Sequence, residues 1–152
     1  MMTEYKVWRS IVDYGLSQGW ELLGACPPGG SVYVCNRCCL IDPETGKRDE
    51  PDILFKNGTT LIAVECKPRL SGLISTSKNS LNETDAEKLL RIAANFNTGI
   101  YNKQLSENYG IIEPVTLQIA LGYSKGIRDN HFSISESFHH FIVTNNTVEY
   151  KN

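Results

Sequence analysis

Apolar residues recur at Tyr5, Trp8, Ile11, Val12 and Leu16, the spacing of one helical face, and Gly19 stands where such a helix would end. Thr3 is the expected N-cap, and Glu4 falls in the first turn, where a carboxylate suits the helix dipole. A Pro-Gly-rich loop is predicted over 26–31, a strand-like run over 32–35 and a turn over 42–46. Asp49 and Glu50 are expected as solvated residues leading into the next element.

The pattern then changes period. Two apolar, β-branched-rich runs flank Asn57-Gly58, the dipeptide that most readily forms a two-residue type I′ turn, so 51–67 predicts a β-hairpin. With that pair as the loop, Lys56 opposes Thr59, Leu54 opposes Leu61 and Asp52 opposes Ala63. Ile53, Phe55, Ile62, Val64 and Cys66 then form one apolar face, while Asp52, Glu65 and Lys67 share the other. Pro68 ends the strand, and 69–82 has no clear period. A helix is expected from Thr84 to about Leu105, and a strand over 114–123. A terminal hairpin of 138–143 and 147–150 is expected around Asn145-Asn146, and His139 and His140 should face opposite sides of it.

The order helix, strand, strand, strand, helix, strand predicts an α/β domain with a mixed central β-sheet flanked by helices. At 152 residues and 41% hydrophobic, 1–152 is expected to be a single domain with a substantial core. No apolar run approaches the roughly 20 residues of a membrane span, and the start lacks the order of a signal peptide. The expectation is a soluble, cytoplasmic protein with no membrane partner. The Asn-x-Thr matches at Asn57, Asn82 and Asn145 are accordingly read as turn and cap chemistry rather than glycosylation sites. A formal charge of −2 excludes coating of nucleic acid through bulk positive charge but leaves room for a local basic groove. There is no Gly-rich phosphate loop, and no nucleophile is tied to a histidine by recognisable spacing.

Two features carry candidate chemistry. Asp52 and Glu65, as diagonal neighbours about 7–8 Å apart at the backbone, are close enough for their carboxylates to close around one hard cation. On structural grounds alone, Asp52, Glu65 and Lys67 would be a solvated ion-pair cluster on an edge hairpin. Cys35 and Cys38 have the two-residue gap of a zinc or iron-sulfur knuckle, which Cys26, Cys39 or Cys66 would have to complete; buried free thiols are the alternative.

Pro51-Asp52, followed thirteen residues later by Glu65-Cys66-Lys67 on the next strand, resembles the signature of the PD-(D/E)xK nuclease superfamily. The layout is most similar to archaeal Holliday-junction resolvases, which place a metal-site glutamate near the start of the first helix and follow that helix with a glycine-aromatic pair. Glu4 and Gly19-Trp20, the latter leading into a first core strand over 21–25, look similar, with Glu21 as the fallback site residue if the helix register differs. The resemblance implies a restriction-endonuclease-like core and magnesium- or manganese-dependent hydrolysis of phosphodiester bonds, DNA before RNA. Asp52 and Glu65 would hold the metal with the backbone carbonyl of Cys66, and Lys67 would position the attacking water. Arg69, Lys78, Lys88 and Arg91 are candidate phosphate contacts, the kind that position nucleic acid without reading sequence. A Gln-x-x-x-Tyr motif of some relatives does not carry over, because Asn97 stands where the Gln would precede Tyr101. Junction resolution needs two coordinated cuts and hence a homodimer. The alternative is a non-catalytic nucleic-acid- or protein-binding module on the same fold, with a cysteine-bound metal.

Overall fold

The computed structural model describes residues 2–28, 40–75, 82–126, 137–145 and 147–152. The strand-like run at 32–35, Cys35, Cys38, Cys39 and Lys78 lie outside the described residues. Among the described residues, six strands form one mixed sheet in chain order: β1 (Glu21–Ala25), β2 (Ile53–Asn57), β3 (Thr60–Cys66), β4 (Thr116–Ser124), β5 (His139–Thr144) and β6 (Thr147–Lys151). Pairing is antiparallel from β1 to β3, parallel from β3 to β5, and antiparallel again between β5 and β6. The parallel step from β3 to β4 requires a crossover, which the helices α2 (Leu70–Ile74), α3 (Asp85–Asn97) and α4 (Asn102–Tyr109) supply.

Alternate residues of the central strands feed two separate cores. Ile53, Phe55, Ile62 and Val64 pack with Val7, Trp8, Ile11 and Val12 of α1 (Glu4–Ser17). Leu54, Leu61, Ala63 and Leu121 pack with Leu70, Leu89 and Ile92 of α2 and α3. The central strands are thus apolar on both faces, as a sheet covered on both sides must be. Among the described residues, no helix is long and apolar enough to cross a membrane.

The first helix starts and stops as its sequence dictates. Thr3 Oγ1 accepts the N–H of Lys6 at 3.1 Å. Gly19 takes φ +81°, its N–H bonds to Leu16 O, and that of Trp20 bonds to Gly15 O, a Schellman stop that requires a left-handed residue. Asn82 and Asn145 take positive φ, in line with turn chemistry, whereas Asn57 does not.

Four expectations are corrected. The hairpin loop is Gly58-Thr59, not Asn57-Gly58: Asn57 pairs with Thr60 and Leu54 with Ala63. Of the two loop residues only Gly58 has positive φ, the pattern of a type II′ rather than a type I′ turn. The two-residue shift leaves every side chain on its expected face. The helix expected from Thr84 to Leu105 is two, broken after Asn97, with Gly99 at φ +80°. Part of 69–82, expected to lack structure, forms α2. Asp49 is fully buried, not solvated.

Candidate active site

The central hairpin brings Asp52 and Glu65 to the end remote from its turn. The observed register runs Ile53 opposite Val64, so one step further Asp52 comes opposite Glu65 rather than diagonal to it. Asp52 is fixed from three sides. Its carbonyl accepts Trp8 Nε1–H at 3.1 Å and the Cys26 N–H at 2.8 Å, while its Oδ2 accepts the Cys66 N–H at 2.8 Å. These bonds hold the carboxylate against β3.

Glu65 is 3% exposed. Burial, and then the adjacent Asp52 carboxylate, push its carboxyl well above the ordinary range, against the opposing pull of Lys88. Its Oε1 lies 2.6 Å from Lys88 Nζ, an ion pair, although Oε1 accepts no hydrogen bond of regular geometry among the described residues. Lys88 Nζ also donates to the carbonyl of Glu50 at 2.6 Å. Burial would lower the Lys88 pKa, yet it is raised, chiefly by Glu65.

Lys67 turns toward the helices. Its ammonium donates to Glu4 Oε1 at 3.0 Å and lies 3.8 Å from Asp85 Oδ2. Its pKa is raised against the effect of burial by the hydrogen bond to Glu4 and the charge of Asp85. Asp85 is itself raised, by burial against the pull of Lys67. Four carboxylates and two ammonium groups therefore meet where α1, α3 and the central hairpin converge.

The sequence-predicted residues divide by place. Asp52, Glu65, Lys67 and Glu4 come together. Cys66 lies between them, donating its N–H to Asp52 while its side chain is buried in the α1-side core. Glu21 is not at the site: it pairs with Lys56 near the hairpin turn. Arg69, two residues after Lys67 in the chain, is exposed. Lys88 and Arg91, expected on one polar track, are both directed at protein carboxylates, Lys88 at Glu65 and Arg91 at Asp49 and Glu83. Cys26 and Cys66 are free thiols, and the remaining ligands of the expected zinc or iron-sulfur knuckle lie outside the described residues. His139 contacts Tyr150 and His140 contacts Tyr123, on opposite faces of the sheet.

Sequence reasoning missed Asp85 and the Asp49 network. Asp85 sits inside a capping box in which Thr84 and Glu87 exchange side-chain and backbone hydrogen bonds. A first-turn acid there has an ordinary explanation, so no sequence signal set it apart. Asp49 is held by Arg91 and by the Tyr101 hydroxyl, which donates to Oδ2. That network ties the segment before Asp52 to α3.

The fit to a cation is mixed in form. A buried carboxylate oxygen without a hydrogen bond, beside a second carboxylate, is a donor set suited to a hard divalent ion. No group of three or more His, Cys, Asp and Glu side chains among the described residues is arranged to hold a metal, so further ligands would come from backbone, water or substrate. Comparison with family models, with curated proteins and with solved structures finds no match.

Proposed function

We propose that the chain is a divalent-metal-dependent nuclease of the PD-(D/E)xK type, acting on phosphodiester bonds of DNA in branched or single-stranded form. The observation that carries this reading is the meeting of Asp52 and Glu65 at one end of a buried hairpin, with Lys67 two residues along and Glu4 in contact with it. Two carboxylates brought together in a desolvated place cost stability, and groups perturbed in this way cluster at catalytic centres.

A magnesium or manganese ion held by Asp52, Glu65 and the Cys66 carbonyl would supply polarisation of the phosphate and a lowered pKa for bound water. The rest falls to the chain. The Cys66 N–H fixes one oxygen of Asp52 and leaves the other for the cation. Glu4 and Asp85 hold the Lys67 ammonium in place. From there Lys67 orients the attacking water and offsets charge on the phosphate. Arg69, exposed two residues further along the chain, contacts the nucleic-acid backbone.

The test is cleavage of a labelled panel of single-stranded DNA, duplex, flap, four-way junction and RNA, with magnesium or manganese, by the wild type and by Glu65→Gln. Metal-dependent cutting that disappears in the variant supports the assignment and names the substrate class. Binding without any cutting would replace it with a non-catalytic nucleic-acid-binding module.

A further inference from the structure

Among the described residues, the cation in contact with Glu65 is Lys88, not Lys67 of the same strand. Lys67 is directed at Glu4 and Asp85. Lys88 reaches in from the first turns of α3, whose start is fixed by the Thr84 capping box and whose next turn is anchored through Arg91 to Asp49 and Glu83. Its ammonium bridges the carbonyl of Glu50, two residues before Asp52, and the carboxylate of Glu65. Its contact with Glu65 is an ion pair at 2.6 Å, so a divalent cation that takes the Glu65 carboxylate has to take the place of this ammonium.

We propose that Lys88 is a resident counter-ion of the Asp52–Glu65 pair, which a divalent cation must displace from Glu65 in order to bind. Resting on the reading of those two carboxylates as the cation site, this makes Lys88 a positioning residue that keeps the site assembled when empty and sets its metal affinity. The displaced ammonium retains the Glu50 carbonyl.

The test measures manganese binding to the full chain by titration calorimetry for the wild type, Lys88→Met and Lys88→Arg. Removing a competing unit charge at contact distance should tighten binding by about tenfold or more in Lys88→Met, whereas Lys88→Arg should bind as the wild type does or more weakly. Equal or weaker binding by Lys88→Met overturns the proposal, as does no binding by either protein. Should Lys88→Met fail to fold, the wild type answers alone: acetylation of Lys88, followed by mass spectrometry, should speed up on adding manganese while that of Lys103 does not. Unchanged reactivity of Lys88 overturns the proposal. Metal-dependent cleavage with unchanged affinity in Lys88→Met would sink this inference and leave the nuclease reading standing. Tighter binding with no cleavage by any form would do the reverse.

Discussion

Asp52 accepts the backbone N–H of Cys66 through Oδ2 at 2.8 Å, so the first acid of the pair is docked onto the strand that carries the second. The bond crosses the hairpin at the point where the regular ladder ends with Ile53 opposite Val64. A side chain thereby does what a backbone carbonyl would do in one more step of the ladder, and the Asp52 charge is fixed in place as a consequence.

Replacing Asp52 separates its two roles. Asn keeps an oxygen for the Cys66 N–H and removes the charge; Ala removes both. Asp52→Asn should therefore lose cleavage and fold at least as stably as the wild type, while Asp52→Ala leaves a sheltered N–H without its partner and should be less stable than Asn by about 1–3 kcal/mol. Urea denaturation of the two variants side by side checks this. Equal stability would mean that the Cys66 bond contributes nothing.

The buried Asp49 gives a sharper stability contrast. Its carboxylate is held by Arg91 and the Tyr101 hydroxyl, and the Tyr101 pKa is raised by burial and by that bond. Arg91→Met would strand an unpaired charge in the interior, at a cost of about 3–5 kcal/mol. Tyr101→Phe removes the hydrogen bond to Asp49 and the one accepted from Asn95, and should cost about 1–3 kcal/mol. Chemical denaturation measures both. If Arg91 were mainly a phosphate contact, its substitution would weaken nucleic-acid binding and leave stability nearly unchanged.

How far these features could be read in advance depends on how local their causes are. The Thr3 cap, the Gly19 stop and the hairpin itself are set by neighbouring residues, and all three were legible. The hairpin register was not, because Asn57-Gly58-Thr59-Thr60 accommodates a loop at either of two positions and both keep the same faces inward. Asp49 looked like solvated surface because its partners lie 42 and 52 residues away on α3 and just beyond it. Lys88 was placed on the correct helix, but a helical wheel cannot say that its polar side looks onto a buried carboxylate on the sheet. Asp85 was hidden by its own good local explanation.

The close approach of α1 to the sheet predicts a specific pair of compensating changes. A Cβ at Gly122 would collide with Cδ1 of Ile11 and come within 3.3 Å of Cys66 Sγ. Gly122→Ala should cost about 1–3 kcal/mol by overpacking. Ile11→Val removes the colliding methyl, so the double variant should recover part of that loss, giving a coupling of about 0.5 kcal/mol or more in a double-mutant cycle. Strict additivity would show that the two sites do not touch. Because Gly122 lies opposite Cys66 on β4, the same strain would reach the Asp52 bond, and cleavage should fall with stability.

Metal-free stability should carry the sign of the Glu65 shift. Its folded-state pKa is raised above the unfolded value by burial and by Asp52, so the native state holds the proton at pH values where the unfolded chain has released it. Stability then falls as pH rises, beginning near the ordinary glutamate value of about 4.3 and ending once the folded pKa is passed. Above that point the full penalty is present. Glu65→Gln cannot ionise, so it should be the more stable protein at neutral and higher pH, with the gap closing as pH is lowered toward 4. Urea denaturation of both proteins with chelator present, at several pH values, tests this, and a gap that widens on acidification would reverse the assignment. Saturating magnesium or manganese should flatten the wild-type decline, because an ion that binds only the native carboxylate pair stabilises that state by an amount that grows with the logarithm of its concentration above Kd.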